Sequence, residues 1–419
     1  MIVVCSLRYL QCDLKRLDMR DNKAHQLPIL IVGGGIGGLT LALTLSRHGI
    51  KSHILEAREV FSEVGAGIQL GPNAGRILAR LGLMDDIAKR ASAPKEIRIR
   101  SAETGGDLAT LPLIPYMEER FFAPYLTMRR VDLQSVLLEH VLGDDAITVS
   151  NGFKLEKTRS SLGDITAISE KGDEISGAAL VGSDGIWSVT REIVAPGHPL
   201  NFSGKTAWRT LIPNSDLPNG IDADKIGLWL GDNAHLVHYP VGGDSDEINI
   251  VAVIDDQTED RHWSQAAEKS EIEAHYDKWA PAAKMLIKSA TTWRKWSLYT
   301  TKPLANWHQG RICLLGDAAH PVLPFLAQGG VLAIEDAFIL ADCINDNDDD
   351  IDLAFSVYET QREPRASRVQ SRSQKNGTIY HMKKPISVAR DLVLKNSSAT
   401  SLIGRYDWLY GYDVKNSVL

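Results

Sequence analysis

Short apolar runs alternate with amphipathic segments near the start of the chain, and this pattern predicts a β-α-β unit. Residues 28–32 have the pattern of a buried strand, the apolar stretch after them that of a helix ending near Gly49, and residues 52–55 that of a second strand. A right-handed crossover places these two strands parallel in one sheet. Further helices are predicted at 73–81 and 131–141.

The middle of the chain alternates with period two, which is typical of antiparallel strands. A turn signal after residues 96–101 predicts a hairpin within 95–125. Seven of the nine tryptophans lie between Trp208 and Trp307. Among them, we interpret Trp208, Trp229, Trp293 and Trp296 mainly as core residues rather than stacking platforms. The strands of this part are expected at 205–212, 234–241, 247–254 and 292–299.

The composition is that of an ordinary globular protein, because 44% of the 419 residues are hydrophobic and 24% are charged. The net charge of −7 excludes a basic surface for nucleic acid. The uncharged stretch 27–46 imitates a membrane span, but its five glycines favour a strand, a turn and a helix. Four cysteines without metal-ligand spacing predict no metal site and fit a reducing, cytoplasmic location. Residues 1–26 are interpreted as a disordered leader.

A glycine-rich turn between the first predicted strand and helix is the clearest chemical signal. Gly33 permits a tight turn, Gly35 lets a pyrophosphate approach the backbone, and Gly38 lets helix and strand pack closely, with Gly37 in the same turn. Glu56 ends the second strand, where its carboxylate can bind ribose hydroxyls and repels a 2′-phosphate. The pattern predicts FAD or NAD rather than NADP, and the alternative is a structural glycine turn.

Two later segments favour FAD over NAD. Asp317 follows a glycine at the end of an apolar run and can accept hydrogen bonds from ribityl hydroxyls. A helix predicted to begin near Val331 can stabilise the negative charge of a reduced flavin. The residues that precede it are Gln328, Gly329 and Gly330. We interpret His320 as a hydrogen-bonding residue of the turn, with a catalytic role as the alternative; Asp184 lies in a third Gly-Asp segment.

These segments predict an α/β fold with three parts: a Rossmann-like FAD-binding domain, an inserted, mainly antiparallel β-sheet substrate domain, and a helical C-terminal region. The FAD-binding domain is expected at 27–199, including the hairpin, and again at 301–380. The substrate domain is expected at 200–300 and a C-terminal helical segment at 381–419. Pro364 is predicted to kink or break the helical part.

With these motifs the chain resembles the class A flavoprotein monooxygenases, which are FAD-dependent aromatic hydroxylases of the salicylate hydroxylase and 3-hydroxybenzoate hydroxylase type. The resemblance runs from about residue 28 to 413. It implies that Arg130 touches FAD, that Gln69 lies beside the flavin ring, and that Asp184 influences both flavin and nicotinamide. Arg58, which follows Glu56 closely, is a further candidate for cofactor binding.

The chain departs from the family at two positions before the second helix. Ala327 replaces a glycine that many members carry, and Phe325 stands where some relatives place a polar active-site residue. The chain has no second GxGxxG motif, so the resemblance implies NADH or NADPH as a transient co-substrate.

His235 and Tyr239 are the acid/base candidates. They are four positions apart on a predicted strand and so share a face, whereas His238 lies on the opposite one. A phenolic substrate must lose its proton to activate its ring, and a histidine or a tyrosine relay can accept that proton. The alternative is a pair of satisfied polar residues, but the resemblance places a His and a Tyr at this spacing in the pocket.

The resemblance implies a monooxygenase that hydroxylates a salicylate-like or hydroxybenzoate-like phenolic acid with NAD(P)H and O2, through a flavin C4a-hydroperoxide. Two alternatives stay open, a flavin-dependent dehydrogenase or reductase and a non-catalytic, flavin-binding redox sensor. The expected partners are a small aromatic molecule, O2 and NAD(P)H, with neither nucleic acid nor membrane. The protein is expected to be a monomer or a homodimer.

Overall fold

The computed structural model describes residues 27–61, 67–161, 163–243, 246–259, 265–347 and 350–414. The predicted leader at 1–26 lies outside these residues. The described strands are β1 Ile29–Val32, β2 Ser52–Glu56, β3 Gly67–Leu70, β4 Glu96–Ser101, β5 Asp107–Pro112, β6 Leu126–Arg129, β7 Ile147–Asn151, β8 Leu155–Ser160, β9 Ile165–Ser169, β10 Glu174–Gly177, β11 Ala179–Gly182, β12 Asn201–Pro213, β13 Ile226–Gly231, β14 Ala234–Val241, β15 Glu247–Asp255, β16 Gln265–Ala267, β17 Trp293–Thr300, β18 His308–Gln309 and β19 Ile312–Leu314.

The α-helices connect and cover these strands. They are α1 Ile36–Arg47, α2 Pro72–Arg80, α3 Met84–Ala88, α4 Tyr116–Phe121, α5 Arg130–Leu142, α6 Val189–Val194, α7 Lys269–Tyr276, α8 Pro281–Ser289, α9 Gly329–Asp346, α10 Ile351–Tyr380, α11 Ile386–Asn396, α12 Ala399–Gly404 and α13 Asp407–Tyr410. Among the described residues, no helix has the length and apolar character that crossing a membrane requires.

The predicted β-α-β opening forms the centre of a six-stranded sheet, in the order β18-β19-β11-β1-β2-β7. β1 is parallel to β2 on one side and to β11 on the other, and all four of its side chains are buried. The chain passes from β1 to β2 on one side of β1, and it later enters β11 on the other side. Because the strand order reverses at this point, a crevice opens beyond the carboxyl end of β1. Sheets of this kind bind ligands at that crevice.

Both faces of this sheet are covered, which explains its apolar strands. On one face, α1, α5 and α9 pack against it and form the main core with residues such as Ile31, Leu39 and Ile334. On the other face lies the three-stranded sheet β10-β9-β8, where Phe153 and Ile165 pack against the six-stranded sheet.

The alternating middle of the chain forms an eight-stranded sheet, in the order β16-β17-β12-β15-β14-β13-β4-β5. One face is packed by α7 and α8 and holds Trp208, Trp229 and Trp293 in its core, as predicted. The same prediction was wrong for Trp296, which is half-buried on the opposite face and stacks on the guanidinium of Arg209. The opposite face carries the alternate residues and faces the loop that leads into α9, where Phe325 packs with Ala207 and Val253.

The hairpin β4–β5 forms as predicted, but its assignment to the first part of the FAD-binding domain was wrong. β4 pairs in parallel with β13, so the hairpin extends the sheet of the substrate domain. In this position the hairpin pairs with the edge of β13, and its outer strand β5 is in turn contacted by α11 and α12. An ion pair between Arg98 and Asp222, at 2.7 Å, joins the hairpin to the segment before β13.

Of the two alternatives expected at Pro364, the break was wrong, because α10 is continuous from Ile351 to Tyr380, and the kink stays a prediction. An internal proline costs a helix about 3 kcal/mol. Here Arg362 and Arg365, on either side of it, are both anchored to buried carboxylates of α9, which offsets that cost. The chain beyond α13 then folds back on α2, where Arg80 forms a 2.8 Å ion pair with Asp413.

Candidate active site

The turn between β1 and α1 shows the close packing that its glycines predicted. Gly33 has a φ of +102°, and a Cβ there would lie 2.6 Å from the carbonyl oxygen of Ser183. A Cβ on Gly38 would lie 2.1 Å from the carbonyl oxygen of Gly33, and one on Gly37 would lie 2.6 Å from Cδ2 of Leu315. Gly33 and Gly38 therefore require glycine, because backbone atoms obstruct a Cβ there, whereas at Gly37 the Leu315 side chain would have to shift.

Gly35 differs, because a Cβ there would meet no described atom within 4 Å. Glu56, at the end of β2, accepts hydrogen bonds from the N–H of Gly34 at 2.7 Å and from the N–H of Arg58 at 3.0 Å. α1 begins beside this space with neither a side-chain cap nor an acidic residue in its first turn. Its first N–H groups can therefore bind a phosphate.

The segment around 316–330 lies directly against this turn. Leu315 and Ala333 are the residues that a Cβ on Gly37 would meet, although Gly37 and Leu315 are 278 positions apart (315 − 37). A Cβ on Gly330 would lie 3.6 Å from Cδ1 of Ile36 and 2.8 Å from Cδ1 of Ile68. The two glycine-bearing segments thus line a shared cleft, into which the first turns of α1 and α9 open.

Asp317 lies in this cleft between two arginines. Burial raises its pKa, and the charges of Arg130, His320 and Arg191 only partly oppose that increase. Arg191 donates hydrogen bonds to the backbone oxygens of Asp317 at 3.2 Å and Ala318 at 3.1 Å, which fixes the segment to α6. Arg130, at the start of α5, acts electrostatically on Asp317 and also on Arg209 of the substrate sheet. It therefore lies between the cofactor cleft and the substrate sheet.

Asp184 lies beside the glycine turn, with its Cα 3.2 Å from the position of a Cβ on Gly33. Its carboxylate accepts hydrogen bonds from the Ser188 hydroxyl at 2.5 Å and from the N–H and hydroxyl of Thr190, both at 3.0 Å. In this structure the carboxylate fixes the start of α6, and the role that the resemblance gave it stays a prediction.

A buried charge cluster fixes the wall of the cleft formed by α9. It consists of Glu335 and Asp336 of α9 with Arg362 and Arg365 of α10, in four contacts of 2.6 to 2.7 Å between nitrogen and oxygen atoms. His320 joins it through a 2.6 Å contact of Nε2 with Asp336, which supports the structural interpretation of that histidine.

The amide of Gln328 is held in the same region, because its Oε1 accepts a 3.0 Å hydrogen bond from Asn73. α9 begins at Gly329, again without a side-chain cap or an acidic residue in its first turn. Two open helix N-termini, the free space at Gly35 and the carboxylate of Glu56 form a donor and acceptor set that fits FAD. The residues present therefore fit the predicted cofactor.

Tyr239 is the predicted substrate-side residue nearest to this cofactor cleft. It lies on β14, and a Cβ on Gly67 of β3 would be 2.7 Å from its hydroxyl. Burial raises the pKa of Tyr239 to about 12, against the opposing charge of Arg209 and a hydrogen bond with Gln69. Gln69 also accepts a 2.7 Å hydrogen bond from the hydroxyl of Tyr125. Gln69 and Tyr239 are thus in direct contact, and the roles predicted for them stay predictions.

His235 lies on the same face of β14 as Tyr239, and its ring is 5.3 Å from the ring of Phe325. His238 lies on the opposite face, as predicted, against Trp229 of the core, where burial lowers its pKa to about 3. His235 therefore borders the space between the substrate sheet and the loop before α9.

Arg209 of β12 is a site residue that the sequence analysis missed. Arg209 pairs with Val251 of β15, and Val251 pairs with Val237 of β14. Since Val237 stands between His235 and Tyr239 on β14, Arg209 lies on the same face of the sheet as these two residues. Its guanidinium carbon is 4.1 Å from the ring centre of Trp296, and its buried Nε has no hydrogen-bond partner among the described residues. The sequence signal that could have identified Arg209 is its alternation with Ala207 and Leu211, which places a charged residue on an apolar face of the predicted strand.

Fold and site together define a flavin-dependent oxidoreductase with a separate substrate sheet, and comparison with known proteins agrees. The family described as FAD binding domain matches residues 26–373. The chain is 32% identical over 398 residues to 3-hydroxybenzoate 6-hydroxylase of Polaromonas naphthalenivorans (strain CJ2), covering 95% of this chain and 99% of that protein. It is 35% identical over 396 residues to 3-amino-4-hydroxybenzoate 2-monooxygenase PtnB3 of Streptomyces platensis, covering 94% and 98%.

A solved structure titled as a salicylate hydroxylase substrate complex has the same fold, with a TM-score of 0.79 at 25% identity, covering 94% of this chain and 97% of that one. The chain therefore belongs to the FAD binding domain family and, within it, to the FAD-dependent aromatic hydroxylases. Its cofactor is FAD.

Proposed function

We propose that the protein hydroxylates a phenolic aromatic acid, of the salicylate or hydroxybenzoate kind, with O2 and NADH or NADPH. The observation that carries this proposal is the sheet face on which His235, Arg209 and Tyr239 lie together, next to the cofactor cleft. A base and a cation on one apolar face match the hydroxyl and the carboxylate of such an acid. The hydroxybenzoates named for the relatives support the same class.

Arg209 binds the substrate carboxylate in this proposal. A buried guanidinium donor without a partner is costly, and a carboxylate can satisfy it with charge-assisted hydrogen bonds. Trp296, stacked on the guanidinium, limits its orientation. Same-face positions on a strand are about 7 Å apart, so an aromatic ring can lie between the row of Arg209 and the row of His235.

His235 accepts the proton of the substrate hydroxyl. Burial lowers its pKa well below 6.5, with a further decrease from the charges of His381 and Lys205, so the imidazole is neutral and can act as a base. The phenolate that results is more electron-rich at its ortho and para carbons. Tyr239 and Gln69 close the pocket towards the cofactor.

FAD, when bound, supplies the reduction and oxygen activation that hydroxylation requires. The chain's own contribution is to hold the cofactor between α1 and α9, to orient the acid through Arg209, and to exclude water with the apolar residues around Phe325. The free, buried thiols of Cys313 and Cys343 support action in the reducing cytoplasm.

The test is a panel of hydroxybenzoates and hydroxypyridine carboxylates, assayed with the holoenzyme for NAD(P)H consumption and for oxygen from labelled O2 in the product. We expect at least one acid to stimulate NAD(P)H oxidation and to gain one labelled oxygen atom. Unlabelled oxidised product indicates the dehydrogenase or reductase, and oxidation that no aromatic changes indicates the sensor; either result contradicts the proposal.

The role of Arg209 is tested by Arg209→Gln with two ligands, the hydroxylated acid and the same phenol without its carboxylate. We expect KM for the acid to rise at least tenfold, because a charge-assisted hydrogen bond contributes about 1.5–3 kcal/mol. KM for the carboxylate-free phenol should change little. An equal change for both ligands contradicts carboxylate binding at this residue.

A further inference from the structure

A buried pair of histidines lies at one end of the substrate face. Nδ1 of His235 is 2.7 Å from Nε2 of His381, the residue that follows α10. His235 is 3% exposed and His381 is 5% exposed. The rings of Phe325 and Tyr380 pack edge-on against His235, each at 5.3 Å. His235 is therefore held by a second imidazole that comes from a different part of the chain.

His381 is bonded in turn to the carboxylate of Asp255, with 2.6 Å between its Nδ1 and Oδ1. Since a carboxylate only accepts, His381 carries its proton on Nδ1 and uses Nε2 to accept the Nδ1–H of His235. This arrangement leaves the lone pair of His235 on Nε2. That atom has no hydrogen-bond partner among the described residues.

Several other polar groups face the two histidines. The ammonium of Lys205 is bonded to Oδ1 of Asp255 and lies 3.1 Å from Nδ1 of His381, farther than the carboxylate oxygen. The hydroxyl of Tyr276 donates a 3.0 Å hydrogen bond to the backbone oxygen of His235. Arg390 of α11 adds a positive charge near His381, and the Tyr380 ring packs edge-on against His235.

These surroundings keep both histidines neutral. Burial lowers the pKa of His381, although its hydrogen bond with Asp255 raises it, and burial lowers that of His235 further. Burial raises the pKa of Asp255, but hydrogen bonds from His381 and Lys205 outweigh this and lower it. A proton that reaches Asp255 is therefore released readily near neutral pH.

Asp255 connects this buried pair to the surface. Its side chain is 33% exposed and lines an open cleft of about 460 Å³. The cleft is also lined by Asp232, Asn233, Gln257, His275 and Lys383. One end of the hydrogen-bonded series thus lies on the sheet face that we propose binds the substrate, and the other end borders solvent. A cluster that only joined the sheet to α10 would need neither the open Nε2 nor the exposed carboxylate.

We propose that His235, His381 and Asp255 form a proton path from the substrate hydroxyl to solvent. The O–H bond breaks as Nε2 of His235 takes the proton, while the Nδ1–H of His235 passes to Nε2 of His381. The Nδ1–H of His381 passes to Asp255, which releases it to water in the cleft. No electrons are transferred. Reverse transfer to the phenolate of the product restores both starting tautomers. His381 and Asp255 act through His235 and are positioning residues.

This inference rests on the proposed phenolic substrate, so the first measurement uses an acid that the panel shows to be hydroxylated, beginning with 3-hydroxybenzoate and salicylate. The oxidised holoenzyme is mixed with the acid in a stopped-flow instrument, without NAD(P)H, in weak buffer with a pH indicator. The carboxylate is already ionised, so a released proton reports ionisation of the hydroxyl. We expect release of a proton from the wild-type complex.

Asp255→Asn removes the final proton acceptor with little change in shape, and we expect proton release at least about tenfold slower, since general-base catalysis contributes 10²–10⁴-fold. Asp255→Glu should restore part of the rate. Asp256→Asn is the matched control, because the neighbouring carboxylate is bonded to Thr206 at 2.8 Å and takes no part in the path. Wild-type rates in Asp255→Asn, or equal slowing in both asparagine variants, would overturn the path.

A second measurement does not depend on activity. Proton NMR of the holoenzyme without substrate should show two strongly downfield imidazole N–H signals, from the His235–His381 and His381–Asp255 hydrogen bonds. We expect both to shift or vanish in Asp255→Asn and His381→Gln and to persist in Asp256→Asn. Normal proton release in a variant that has lost these signals overturns the path and leaves the proposed function intact. If the wild type hydroxylates no acid of the panel, the proposed function fails and the path fails with it.

Discussion

Arg362→Met removes one cation from the buried charge cluster of α9 and α10 while keeping a side chain of similar length. Arg362, Glu335 and Asp336 are all 0% exposed. The substitution deletes the 2.6 Å contact with Asp336 and the 2.7 Å contact with Glu335. Glu335 keeps Arg365, whereas the partners that Asp336 keeps among the described residues are His320 and the N–H of Gly316, at 3.3 Å.

Breaking a buried ion pair costs about 3–5 kcal/mol, because the remaining charge is buried without its partner. Since Glu335 retains Arg365, we expect the lower end, about 3 kcal/mol. That corresponds to roughly a hundredfold change in the folding equilibrium. Arg159→Met is the control, because Arg159 and Glu174 form an exposed pair, 55% and 47% exposed, which water screens, so its loss should change stability far less.

Urea denaturation of both variants at one saturating FAD concentration measures the difference in the free energy of unfolding, since bound ligand contributes to stability.

The pH dependence of this stabilisation follows from the pKa shifts of the Glu335 and Asp336 carboxyls. Burial raises the pKa of Glu335 and Asp336, but their charged neighbours, Arg365 and Arg362 for Glu335 and His320 and Arg362 for Asp336, lower both overall. The stabilisation is therefore fully present at pH values above the ordinary carboxyl pKa, and it should be lost as pH falls below about 4. Losses of less than 1 kcal/mol for Arg362→Met would refute this reasoning.

Three further predictions concern the site. Gly38→Ala should destabilise the fold itself, because its Cβ would lie 2.1 Å from a backbone oxygen. Gly35→Ala should instead leave thermal unfolding of the FAD-free protein unchanged and should weaken FAD binding, which flavin fluorescence measures. Ala327 has a φ of +52°, so Ala327→Gly should preserve FAD affinity and raise stability by up to about 1 kcal/mol in urea denaturation; a clear loss contradicts the strain. Since the pKa of His235 is lowered, kcat/KM for hydroxylation should keep its value as pH falls from 8 to 6.5, and an acidic limb near 6.5 contradicts a neutral, buried base.

Much of the cofactor cleft could be predicted because it depends on local backbone chemistry. A φ of +102° at Gly33 and the contact between Gly38 and Gly33 are requirements that only glycine meets, so the chain records them directly. The same holds for the alternation that placed His235 and Tyr239 on one face of β14 and His238 on the other. Such features are set within a few residues of each other.

The rest depends on contacts between distant segments, which no local pattern reports. Nothing near β4 indicates that it pairs with β13, in which Gly227, the partner of Arg98, lies 129 positions later in the chain (227 − 98). The ring of His381 meets His235 only because α10 continues through Pro364, where a local rule predicted a kink or a break. Arg209 had no motif around it, and its importance follows from the unpartnered Nε and from Trp296.

The order of strands in the six-stranded sheet also bears on how the protein is made. β1 and its glycine turn leave the ribosome early, but β19 and α9, which form the opposite wall for the cofactor, follow only after the whole eight-stranded sheet has been translated. A nascent chain that stops before residue 329 therefore has the phosphate-binding turn without the helix that faces it. Capture of the flavin is consequently a late event of synthesis, and it fastens together two stretches of polypeptide that were made far apart in time.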